Sequence, residues 1–202
     1  MAHEGLWAQL EKLDGAETAR RAACHYLADP ERCIVPLLNT QYVVSPSQRT
    51  ILSASPESPQ KAAGLLEQLC ILAYLINARD IPLAGKLCKA EMLPGGQFFF
   101  RGPHSLPLGK LQTTFGSRCD SLHAAAQPLG GERCDFGDAS TRLLVLPRLP
   151  LTIVLWAASE EFEARASVLF DRTAGDQLPL DALLAAVNLT VRALAESAAT
   201  DR

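Results

Sequence analysis

The sequence predicts an α+β fold: a single domain with a largely antiparallel sheet and helices packed against it. Three observations carry this. Short apolar runs bounded by turn-formers come in groups, at 33–54 and again at 143–171. Longer stretches with apolar residues three and four apart lie before, between and after them. The chain of 202 residues, 48% hydrophobic, can bury a sizeable core and has no repeat, linker or low-complexity break, so residues 1–202 read as one domain.

Residues 4–13 read as a helix, because Leu6, Leu10 and Leu13 share a face beside Trp7, and Asp14-Gly15 interrupts it. A second helix is expected over Ala16–Leu27, ended by Asp29-Pro30, since the residue before proline is pushed out of the α region. Cys33–Leu38, Gln41–Ser45 and Arg49–Ala54 form an expected antiparallel meander, divided by Asn39-Thr40 and Pro46-Ser47-Gln48. Ser55–Pro59 is a loop into a buried helix built on Leu65, Leu66, Leu69, Leu72, Leu75 and Ile76. From Arg79 to Pro107 the pattern loosens around Ile81-Pro82 and Leu93-Pro94-Gly95-Gly96, with one short aromatic strand at Gln97–Phe100. Leu108–Phe115 and Ser121–Gln127 look helical, and a short strand is expected near Arg133–Phe136. Leu143–Leu146, Leu151–Trp156 and Ala166–Phe170 are the expected centre of the sheet. Leu180–Ser197 closes the chain as a helix with Leu183, Leu184, Val187, Val191 and Leu194 on one face, and Thr200-Asp201-Arg202 is a tail.

Net charge is −3, and Lys and Arg are scattered rather than striped, so no nucleic acid partner is expected. Glu4, Glu11, Asp14 and Glu17 stand where an export signal needs a basic start and an apolar run, which points to a cytoplasmic location. The most apolar helical stretch, Ala62–Ala78, falls short of the ~20 residues of a bilayer span, so no membrane is expected. The six cysteines include no CxxC pair and are expected to stay reduced.

No HExxH, GxSxG or phosphate-loop frame occurs, and Gly95-Gly96 reads as a turn. Glu160, Glu161 and Glu163 read first as a solvated connection between strands, while Asp171, directly after an apolar strand, is the acid least easily assigned to the surface. His104, beside Arg101 and the Phe run, is the best placed histidine for binding an anion or a metal.

The stretches LPGGQFFFRGPHSLPLGKLQTTFG, LGGERCDFGDAS and LPRLPLTIVLWAASEEFEARASVLFDRTAGDQLPLDAL make the chain resemble a family of bacterial and archaeal proteins described as a domain of unknown function. The likeness runs from about Leu27 to Leu194, which divides the chain into N-terminal helices at 1–28 and a family-like core at 29–199. Relatives of that kind are mostly from anaerobes, and some are fused to an iron–sulfur domain similar to that of corrinoid iron–sulfur proteins. The resemblance implies a cofactor-related or anaerobic redox setting, although this chain has no cysteine cluster for a four-iron centre. It carries over Gly95, Gly96, Gly137, Asp138, Pro147, Pro150, Trp156, Glu161, Phe162, Phe170 and Asp171 as positions to watch, without assigning them roles.

Three readings follow. The first is a small-molecule or cofactor-binding accessory protein, its pocket between the Phe98–His104 loop and the Trp156–Asp171 strands. Phe98, Phe100 and Trp156 would supply the apolar wall, and Arg101 and His104 the polar fixers. The second is a small metal-assisted enzyme using the acidic residues Asp138, Glu161 and Asp171. The third is a structural subunit with a protein partner, the same aromatics forming its interface. No residue pattern names a metal site, a cofactor or a ligand.

Overall fold

Two antiparallel sheets carry the strands where the sequence suggested one. The computed structural model describes residues 3–54 and 59–200, so most of the Ser55–Pro59 loop and the last two residues of the tail lie outside the described residues. The first sheet is a meander of four consecutive strands, β1 (His25–Ala28), β2 (Glu31–Leu37), β3 (Thr40–Ser45) and β4 (Thr50–Ser53), in the order β1-β2-β3-β4. The second has five, β5 (Leu87–Lys89), β6 (Glu132–Cys134), β7 (Ala139–Leu146), β8 (Leu149–Trp156) and β9 (Arg165–Asp171), in the order β5-β9-β8-β7-β6. The α+β class stands. The sheets meet at β2 and β7, where the Leu38 amide donates to the Val145 carbonyl at 3.1 Å.

The N-terminal helices are α1 (Glu4–Leu10) and α2 (Gly15–Arg21). Asp14 caps α2, its carboxylate accepting from the Glu17 amide at 2.8 Å and satisfying one of the free first-turn donors. The second helix stops well short of the expected Leu27. Ala23 takes a left-handed φ of 52°, the Ala22 carbonyl accepts from Tyr74 Oη at 2.8 Å, and the chain enters β1. Leu38 and Asn39, both at positive φ, make the tight β2–β3 turn, one residue before the Asn39-Thr40 pair expected to make it.

The remaining helices are α3 (Leu65–Asn77), α4 (Gly96–Phe99), α5 (Leu108–Phe115), α6 (Ser121–Ala126), α7 (Ala174–Gln177) and α8 (Leu180–Thr200). Gln97–Phe100 is therefore mostly helix and not a strand, because Gly95, left-handed at φ 76°, turns the chain into α4. β8 is the middle of the second sheet and every residue in it is buried except the half-buried Trp156. Helix α5 packs on β8 and β9, α6 on β7, and α8 on α3, α5 and α6. By length and composition α8 is long and apolar enough to cross a membrane, but 50% of that stretch is buried inside the fold, against these neighbours.

Arg148, in the β7–β8 turn, ties the layers together. Its Nε donates to the Arg21 carbonyl at 2.9 Å, its amide to Tyr74 Oη at 3.1 Å, and its guanidinium pairs with Asp80, which also holds Arg20 at 2.6 Å. One half-buried cation thereby satisfies the end of α2 and fixes α3 and the segment leading to β5.

Candidate functional site

The site starts from an interrupted strand pair. β9 is paired with β8 along its length, from Leu151↔Phe170 to Trp156↔Arg165, but on its other side β5 pairs only with Leu169–Asp171. β5 stops at Lys89 because the chain coils into a 3₁₀ turn at Ala90–Met92, whose Ala90 carbonyl accepts from the Leu93 amide at 3.1 Å. Gly96 sits hard against that turn: a Cβ there would lie 2.0 Å from the Ala90 oxygen.

The first half of β9 consequently faces a cleft of about 370 Å³. Lys89 and Glu91 border one side, Leu106 and Leu108 another, and Trp156 and Arg165 the floor. The Arg165 guanidinium lies over the Trp156 indole, 5.5 Å from the ring centroid, as their direct cross-strand pairing dictates. Among the described residues neither Lys89 nor Arg165 has a carboxylate partner. Trp156 is seated from behind by Gly137, at φ 59°, where a Cβ would approach the ring to 3.3 Å and the Leu155 oxygen to 2.5 Å. Asp138 closes this end of the sheet, its Oδ2 accepting from the Ala157 amide at 2.7 Å.

Of the residues named from sequence, Trp156 borders the cleft and Phe98, Phe100, Arg101 and His104 do not. Phe100 is a core residue, 6.4 Å from the buried Phe170 ring. Phe99, not singled out beforehand, meets Phe100 edge-on at 5.1 Å and stacks on His104 at 4.6 Å. Phe98 is 75% exposed, and Arg101 is exposed. Leu106 and Leu108, just beyond this loop, take the place expected for it.

The acidic residues are divided. Asp138 and Glu161 belong to the Trp156 end, Glu161 in the exposed 157–164 connection, where Ser159 Oγ accepts from the Phe162 amide at 3.1 Å. Asp171 is at the far end of β9, about 20 Å away at the strand rise. Among the described residues no three His, Cys, Asp or Glu side chains gather to hold a metal ion.

Asp171 is buried and bound to main chain. It accepts from the Ala84 amide (3.0 Å), the Gly85 amide (2.8 Å), the Thr173 amide (3.0 Å) and Thr173 Oγ1 (2.7 Å). Burial pushes its carboxyl up, but the four donors outweigh that and hold it below the ordinary aspartate value. It fastens the segment before β5 to the end of β9.

The six cysteines are free. Burial is the leading cause that raises every one of these thiols, Cys24 to about 12 and Cys33 to about 11. An activated nucleophile needs the opposite shift.

Lys89, Glu91, Leu106, Leu108 and Arg165 escaped sequence reading. Arg165 was recoverable: the hairpin between two strong strands sets a register that places it opposite Trp156.

The model of a family described as a domain of unknown function (DUF3786) matches residues 14–193. No curated protein and no solved structure matches the chain.

Proposed function

The chain belongs to the DUF3786 family, a domain of unknown function, and from that premise we propose that it is a small-molecule or cofactor-binding accessory protein with its ligand in the Trp156 cleft. The cleft itself carries the reading: about 370 Å³ in volume, it combines an indole, two leucines and two cations that have no carboxylate partner among the described residues, against one carboxylate. That volume suits a small ligand, and the excess positive charge favours an anionic one. The metal-assisted reading has less support, because Asp138 and Glu161 stand a strand length from Asp171. A protein partner is the second reading, favoured by Met92 and Phe98, 64% and 75% exposed on turns that pack against each other.

The same proposal puts the protein in the cytoplasm and in anaerobic metabolism. Its supports are the resemblance to proteins fused to corrinoid-type iron–sulfur domains and the six free thiols, which fit a reducing compartment. The test is a preparation made without oxygen, with its absorbance, metal content and released small molecules measured. An organic anion near one per chain is expected, and at least tenfold less from Trp156→Ala. Because Trp156 is only half-buried, that variant should lose only about 1–2 kcal/mol of stability. Wild-type protein carrying nothing, or equal content in both, would overturn the proposal.

A further inference from the structure

We propose that the ligand of the cleft is an amino acid with a second acid group, met by two cations with a carboxylate between them; this rests on reading the cleft as the ligand site.

The order of the charges carries the inference. Lys89 pairs with Leu169 in the β5–β9 ladder, and continuing that register sets Ala90 opposite Val168 and Glu91 at the level of Ser167. The turn that begins at Ala90 packs on β9 and keeps Glu91 on this border. Arg165 follows two positions further along β9, opposite Trp156 of β8. Lys89, Glu91 and Arg165 all border the cleft. Along it the sign runs plus, minus, plus, in steps of about 7 Å at two residues of strand rise. All three residues are exposed. Among the described residues none of the three forms an ion pair with another side chain, although opposite charges are neighbours. Each charge is thereby left for a ligand to meet.

A plain anion would pair with Lys89 and Arg165 but be repelled by Glu91 between them. An ammonium at the middle position turns that repulsion into a third attraction, so complementarity selects a ligand that reads minus, plus, minus. An amino acid with an acidic side chain has this order, its α-ammonium standing between two carboxylates. Its net charge is still negative, in keeping with the excess of cations in the cleft, and its methylenes can lie on Leu106 and Leu108.

The probes are the L-amino diacids from aspartate to 2-aminopimelate, each beside the plain diacid of the same carbon chain, titrated by calorimetry into dialysed wild-type protein. Saturable binding of at least one amino diacid is expected, at least fivefold tighter than its amine-free counterpart. In Glu91→Gln that preference should shrink to less than twofold, the amino diacid losing affinity and the plain diacid gaining it. Lys89→Gln and Arg165→Gln should each weaken the amino diacid at least fivefold. The substitutions fall on exposed residues, and thermal midpoints check that each variant is folded. The comparison of the two probe series on wild-type protein needs no variant.

Plain diacids that bind wild type as tightly as the amino diacids, or an unaltered preference in Glu91→Gln, would overturn the inference. If no amino diacid binds while an organic anion co-purifies and depends on Trp156, the inference falls alone and the cleft reading stands. If nothing binds and nothing co-purifies, the cleft reading falls with it.

Discussion

Phe170→Ala is expected to lower the stability of the protein by about 3–5 kcal/mol, read from urea denaturation at constant m-value. Phe170 is fully buried and stands in β9 between Leu151 of β8 and Cys88 of β5, the one strand that both neighbours use. Its ring also meets Phe100, so truncation leaves a cavity bounded by two strands and the loop after α4. Rigid neighbours on all sides limit collapse into that space, which puts the cost in the upper part of the large-to-small range. Phe100→Ala should be less than additive with it, since the two variants empty adjoining space. A loss under about 1 kcal/mol for Phe170→Ala would mean that β5 and the aromatic loop do not close over β9 as described.

Removing the carboxylate of Asp171 has a second large effect with a pH signature. Asp171→Ala leaves the Ala84, Gly85 and Thr173 amides and the Thr173 hydroxyl without their acceptor and should cost about 3 kcal/mol near neutral pH. Asp171→Asn, which keeps one acceptor oxygen, should cost about 2 kcal/mol. The folded carboxyl lies below its unfolded value, so its stabilisation is fully present above the unfolded value of about 4 and is lost as pH falls through the folded value. The gap between wild type and Asp171→Asn should therefore narrow as pH drops below about 4. A gap that is small at neutral pH, or that does not change with acid, would remove Asp171 from this structural role. Binding in the Trp156 cleft should survive Asp171→Asn wherever the protein is folded, because the two sit at opposite ends of β9.

The long, periodic elements were legible. β8, α3 and α8 each hold many apolar residues at one spacing, so no single neighbour decides their identity. Short elements were not. β1 hides behind a helical pattern because the break falls at Ala23, which adopts positive φ without the glycine that would announce it. Gln97–Phe100 has strand-like aromatics, but Gly95 and the contact of Gly96 with Ala90 override propensity and make α4. β5 has three residues, too few for any period, and with it went Lys89 and Glu91. Separation along the sequence also misled. Glu161 and Asp171 lie ten positions apart in the chain, yet one is in the connection before β9 and the other at its end, so the length of an extended strand holds them apart.

The second sheet has an uneven history written into its strand order. β6, β7, β8 and β9 follow one another in the chain and can zip together by closing short loops. β5 comes from far upstream, and the contacts that seat it, such as Ala84 on Asp171, span 87 residues. Loop-closure entropy falls most heavily on such contacts, so the β5 edge is expected to be the last part of the sheet to assemble and the first to come away. Pulsed hydrogen exchange during refolding, comparing the amides of β5 with those of β8, would date the two. The cleft, whose one side is the end of β5, is then a late product of folding: only a chain that has already completed its core can present it to a ligand.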